Sequence, residues 1–122
     1  MPTCPAIEER TAQGVVEIVG PDLDRALAFY TALDFCVERR TGDFAVVNRG
    51  GCRLFLAQNR NAPTGKRWTN LRIVVDDVDA IWMRANELGL PIVVAIGDRP
   101  YGLRDFTLAD PSGFEIRFAL PI

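Results

Sequence analysis

The chain carries one pattern twice, and this duplication constrains its fold more than any other feature. Slid forward by 55 positions, residues 17–35 (EIVGPDLDRALAFYTALDF) fall without a gap on residues 72–90 (RIVVDDVDAIWMRANELGL). Ile18 then meets Ile73, Val19 meets Val74, Asp22 meets Asp77, Asp24 meets Asp79 and Leu33 meets Leu88. A second segment, residues 43–57 (DFAVVNRGGCRLFLA), lands on residues 105–119 (DFTLADPSGFEIRFA) at an offset of 62. The change of offset marks a seven-residue insertion between the matched segments of the second half. Two copies of one small module are therefore expected.

A length of 122 residues leaves room for a single ordinary domain, and 48% hydrophobic content suits a soluble globular core. The net charge of −2 gives no basic footprint, which argues against nucleic acid as a partner. One lysine stands against thirteen arginines. Arginine favours planar, bidentate ion pairs, though genomic composition bias is the plainer explanation. Cys4, Cys36 and Cys52 are odd in number and lack a paired spacing. They argue against a disulfide scaffold and for a reducing cytoplasm. No apolar run approaches the roughly 20 residues of a membrane span, and the opening MPTCPAIEERTAQ is too polar and acidic for a signal peptide. The expected location is cytoplasmic, with no membrane partner.

Each copy has clear periodicities. Leu23, Ala26, Leu27, Tyr30 and Leu33 recur at helical spacing, as do Val78, Ile81, Trp82, Ala85 and Leu88. Asp22 and Asp77 stand where N-caps belong. A short strand-like run precedes each helix, and three follow it: FCVERR, DFAVVNR and CRLFLAQ in the first half, PIVVAI, LRDFTLA and FEIRFAL in the second. The order predicted twice is strand, helix, strand, strand, strand. Within the single domain of residues 1–122, the modules span residues 14–57 and 68–120. The polar stretch QNRNAPTGKR, residues 58–67, links them. The first dozen residues, with Pro2 and Pro5, are either an exchanged arm or a frayed end.

Alternation along the strands assigns faces. Val16, Ile18, Cys52, Leu54, Leu56, Leu71, Ile73, Val75, Phe114, Ile116 and Phe118 form the side that each helix covers. The opposite parity holds Val15, Glu17, Arg53, Phe55, Asn70, Arg72, Asp105, Thr107, Glu115 and Arg117. That face is either a solvated outer surface or, if the sheet curls, the lining of a concave cleft.

The string GPDLDRALAFYTALDF resembles the opening V-x-D-l-x-x-s-l-x-F-Y-x-x-x-L-G-F of the vicinal oxygen chelate superfamily, and YGLRDFTLADPSGFEIRF resembles its closing G-x-x-x-F-x-x-x-D-P-x-G-N. That superfamily includes glyoxalase I, extradiol dioxygenases, and fosfomycin- and bleomycin-resistance proteins. The resemblance implies an α+β fold of two tandem βαβββ modules, their mixed sheet curved around a cleft, usually assembled as a homodimer. It also implies, for the enzymes, a divalent metal held from the first and fourth strands of each module. Motif spacing carries those four positions to Val15, Phe55, Asn70 and Arg117. A branched hydrocarbon, a phenyl ring and a cation cannot coordinate a transition metal, and Asn70 offers only a weak oxygen. The chain has no histidine to compensate. Shifting the alignment by one or two residues would bring in Glu17 or Glu115, which with Asp105 among three arginines make a poor cation site. No metal or other cofactor is expected.

Catalytic constellations are thin as well. Nucleophilic triads need a base, and without histidine only carboxylates or Lys66 remain. Glu17 or Glu115 could serve as general acid or base if desolvated. The short chain, GDFAVVNRGGCRLFLA and the Tyr101-Gly102-x-Arg104 stretch resemble most the metal-free, bleomycin-resistance type, whose members sequester an antibiotic without degrading it. The ligand-binding set expected on this basis is Glu17, Arg53, Phe55, Trp68, Asn70, Arg72, Tyr101, Asp105, Thr107, Glu115 and Arg117. Trp68 and Tyr101 would be stacking platforms and Phe55 part of the floor. Trp82 belongs to the core. Arg53, Arg72 and Arg117 balance Glu17, Asp105 and Glu115, which suits a zwitterionic or anionic small molecule. An enzyme of the same fold, metal-dependent or acid/base, is the alternative.

Overall fold

The computed structural model describes Cys4 and residues 12–122, so the expected arm or frayed end lies outside the described residues. Each half of the repeat builds one compact unit, Met1–Thr64 and Gly65–Ile122. The first contains β1 (Val16–Gly20), α1 (Leu23–Ala32), β2 (Cys36–Thr41), β3 (Phe44–Arg49) and β4 (Cys52–Gln58). The second contains β5 (Asn70–Val74), α2 (Val78–Glu87), β6 (Ile92–Asp98), β7 (Leu103–Ala109) and β8 (Glu115–Pro121). Both are four-stranded mixed sheets of one topology, ordered β1-β4-β3-β2 and β5-β8-β7-β6. The first strand of each pairs in parallel with the last, and the remaining pairs are antiparallel. The chain thus forms two βαβββ modules, as the duplication predicts.

The helices begin where the sequence placed them. Asp22 accepts a hydrogen bond from the Arg25 backbone N–H at 3.1 Å, and Asp77 accepts one from the Ala80 N–H at 3.0 Å. Each cap satisfies a donor that the first turn leaves without an intrahelical partner. Leu23, Phe29, Tyr30 and Leu33 pack α1 on its sheet, with Ala45, Val47, Leu54 and Leu56 buried beneath. In the second unit Val78, Ile81 and Ala85 lie over Ile73, Phe106, Leu108, Ile116 and Phe118. Trp82, expected wholly in the core, is half-buried with its ring against Phe106 at 5.3 Å. Leu88 departs from its stripe: it follows the last turn of α2 and is exposed.

Two local features tie the units internally. Gln58 ends β4, where its side-chain oxygen accepts from the Leu23 N–H at 2.8 Å and its amide donates to Asp43 at 3.1 Å. In the second unit the D-P-S-G turn is organised by the buried Asp110. Its Oδ1 accepts from Ser112 N, Ser112 Oγ and Phe114 N. Gly113 in that turn has φ +87°, and a Cβ there would run into the backbone of Gly65.

The cysteines require a correction. Cys4 and Cys36 are joined as a disulfide with their Cα atoms 5.7 Å apart, and Cys52 alone is free. An odd count hides a pair 32 residues apart, because spacing along the chain says nothing of proximity across a sheet.

Candidate functional site

In the second unit β5, β8 and β7 carry alternate side chains to the face opposite α2. Strand register aligns Arg72 with Arg117, and Arg117 with Thr107; one pleat to one side Asn70 aligns with Glu115, and to the other Asp105 aligns with Ala119. This face is far from uniformly solvated: Asp105, Thr107 and Glu115 are 3%, 2% and 7% exposed. The reading as a solvated outer surface is therefore corrected for these residues. Polar groups so placed need partners, and they are unevenly supplied.

Asp105 has many. Arg99 Nε donates to its Oδ1 at 2.7 Å, the Tyr101 hydroxyl donates to its Oδ2 at 2.7 Å, and Arg72 reaches that oxygen at 3.5 Å. Arg99 is anchored further, donating to the Ala95 carbonyl at 2.6 Å and the Asp105 carbonyl at 3.1 Å. Burial opposes ionisation of Asp105, but the hydrogen bonds from Arg99 and Tyr101 and the charges of Arg99 and Arg72 outweigh it. They hold the carboxyl below its ordinary range. The Tyr101 hydroxyl is pushed the other way, first by its bond to Asp105 and then by desolvation. The Arg72 guanidinium lies over the Tyr101 ring, 5.4 Å from its centroid.

Arg117 and Glu115 are the opposite case. Arg117 is half-buried, and its Nε is buried with no hydrogen-bond partner among the described residues. Glu115 forms no ion pair among the described residues. The face thus joins one satisfied carboxylate to an arginine whose donor is idle.

The first unit holds a separate group. Arg53 grips Glu38 with two nitrogens, at 2.8 and 3.0 Å, and also reaches Gln13. Its partner is thus Glu38 on β2, a residue outside the expected set. Phe55 packs edge-on against Phe44 at 5.2 Å. Glu17, aligned with Phe55, is exposed. Trp68, in the second unit, is 95% exposed with the Lys66 ammonium 5.3 Å from its ring.

Of the eleven residues singled out from sequence, Arg72, Tyr101 and Asp105 are in mutual contact, and Thr107 and Arg117 align with them. Arg99 was missed. It sits in the β6–β7 turn, where no periodicity marks a side chain's direction. The signal available was Gly97, aligned with Asp105: a Cβ there would lie 3.2 Å from the Arg99 guanidinium, so glycine leaves the room Arg99 occupies.

The four positions implied for a metal do not suit one. Val15 precedes β1, Phe55 is on β4, Asn70 opens β5 and Arg117 is on β8. Among the described residues no three His, Cys, Asp or Glu side chains gather into a candidate cation site. The free thiol of Cys52 is pushed up by burial, against the pull of Arg49, and is correspondingly less reactive. No helix among the described residues is long and apolar enough to cross a membrane.

Residues 12–118 match the family described as Glyoxalase/Bleomycin resistance protein/Dioxygenase superfamily. No curated protein matches in sequence. Among solved structures, a glyoxalase/bleomycin resistance protein/dioxygenase from Alicyclobacillus acidocaldarius is similar with a TM-score of 0.79 at 22% identity, covering 95% of this chain and 96% of that one. A bleomycin-binding protein complexed with bleomycin gives 0.78 at 21% identity, over 92% and 100% of the two chains. A lactoylglutathione lyase from Agrobacterium tumefaciens gives 0.72 at 19%, over 93% and 96%. Identities this low establish a common fold and leave function to the site.

Proposed function

The chain belongs to the glyoxalase/bleomycin resistance protein/dioxygenase superfamily, and from that premise we propose that it is a metal-free protein that holds a small zwitterionic or anionic molecule without transforming it. Antibiotic or toxin resistance by sequestration is the role proposed. The observation that carries this reading is Arg117: a guanidinium with an idle, buried Nε stands where the resemblance implies a metal ligand. A cation there repels a metal ion and attracts an anion. Likeness in fold to a bleomycin-binding protein supports the binding role by analogy. Bleomycin itself, being cationic, is not proposed.

The proposed protein is a cytoplasmic homodimer. The bond between Cys4 and Cys36 counts against that location, since disulfides are rare in a reducing cytoplasm. A second reading, an acid/base enzyme of the same superfamily, is favoured by one observation: Glu115 is buried and forms no ion pair among the described residues. Thermal unfolding across a panel of antibiotics and charged metabolites separates the two when the same mixtures are analysed by mass spectrometry. Sequestration predicts a raised midpoint with an anionic or zwitterionic compound, recovered unchanged. Product formation abolished by E115Q, or a stoichiometric transition metal in the purified protein, would instead establish an enzyme.

A further inference from the structure

We propose that Arg72 and Arg117 together receive one carboxylate group of the bound molecule, a subsite built wholly within the second unit. It deepens the binding function just proposed and rests on it for its physiological meaning. Its geometry is independent of which compound is bound.

Three observations lead to it. Arg72 and Arg117 are aligned on adjacent parallel strands, β5 and β8, on one face. Like charges directly across a ladder repel, so the pair is disfavoured until an anion lies between them. Arg117 Nε is buried without a hydrogen-bond partner among the described residues, whereas its two terminal nitrogens are neither buried nor bonded, so the outer donors of this guanidinium are left for a ligand oxygen. Arg72 is only lightly used by the protein: it touches Asp105 at 3.5 Å, while Arg99 and Tyr101 take that carboxylate at 2.7 Å. Tyr101 beneath its guanidinium holds it in the face without consuming its donors.

The charge of the face selects the class of anion. Arg72, Arg99 and Arg117 stand against Asp105 and Glu115, leaving one positive charge. A monoanion neutralises it, whereas a phosphate dianion would overshoot beside Glu115, which has no counterion among the described residues. The planar guanidinium fork also matches a planar carboxylate in its hydrogen-bonding directions. Carboxylate over phosphate follows from both charge and shape.

The test uses the intact protein and the simplest aromatic carboxylate, benzoate, with benzamide as its neutral isostere and inorganic phosphate as the competing anion. Arginine Nε–Hε cross-peaks are followed by NMR through each titration. The expected result is a saturable shift of the Arg117 cross-peak with benzoate, none with benzamide and a weaker response to phosphate. R117K keeps the charge but loses the fork, and should weaken benzoate roughly tenfold. R72Q, at an exposed position, should do the same and covers the case in which R117K does not fold. The proposal is overturned if benzamide moves the Arg117 cross-peak as benzoate does, if phosphate binds more tightly, or if R117K and R72Q both keep wild-type affinity. Benzoate failing while a larger compound still stabilises the protein unchanged would sink the subsite and spare sequestration. Turnover or a bound metal alongside normal benzoate binding would do the reverse.

Discussion

Asp105 is a carboxylate that burial alone would neutralise, and it stays charged because three side chains converge on it. Its folded pKa lies below the ordinary carboxylate value, so the stabilisation it supplies is present above the unfolded-state pKa of about 3.9 and is lost as pH falls through the lower, folded value. D105N keeps the shape of the side chain but strands Arg99 without its counterion. We expect a loss of about 2–3 kcal/mol near neutral pH, together with a shallower fall of stability between pH 5 and the acid limit than wild type shows, roughly the window spanned by the two pKa values. Urea denaturation at a series of pH values measures both. Unchanged stability in D105N would mean that the Arg99 contact is made equally well by solvent. The residue scale is also where sequence reasoning loses reach. Charge and parity pointed to Asp105 and Arg72, but Arg99 enters from a turn, and Arg53 on β4 reaches across β3 to Glu38 at the register shift of β2. Neither partner is a neighbour in sequence.

At the scale of elements the duplication extends into backbone conformation. Both helices end in a residue with positive φ: Asp34 at 68° after α1 and Gly89 at 64° after α2, positions related by the same offset of 55. The buried amide of Asn48 and carboxylate of Asp110, related by the offset of 62, both accept backbone N–H groups within their hairpin turns. One turn design is thus executed with two residue types. Glycine carries the left-handed conformation without steric cost, whereas a Cβ there costs roughly 1 kcal/mol. G89A should therefore destabilise the protein by about 1 kcal/mol. No loss of packing is involved, since nothing lies within 4 Å of the added methyl group. Chemical denaturation gives the magnitude, and a neutral G89A would indicate that the turn relaxes at no cost. Strand and helix positions were legible because periods of 2 and 3.6 leave a direct trace in hydrophobicity. The Cys4–Cys36 bond was not, since pairing depends on where β2 carries Cys36 and no period records that.

At the scale of the molecule, the duplicated pattern specifies two like sheets but not what covers their edges. In the second sheet β6 is an edge strand, with Ile92, Val93 and Val94 exposed. Ile92 aligns with Leu108 and Val94 with Thr107, neighbours on opposite faces of β7, so both faces of the strand present apolar surface. Such an edge invites association. Its register with β7 shifts twice between Ile92 and Gly97, and irregularities of that kind discourage a continuous ladder with another chain. In the proposed homodimer the second copy therefore covers the side chains of β6 rather than extending its hydrogen bonding. Sedimentation should then give twice the chain mass of 13.5 kDa. V93E, which places a charge on that surface without altering the β6–β7 pairing, should shift the protein toward monomer while leaving its circular dichroism unchanged. A wild-type protein that remains monomeric at concentrations of hundreds of micromolar would overturn the dimer and leave β6 as a solvated edge. A V93E protein that stays dimeric would place the contact on another strand.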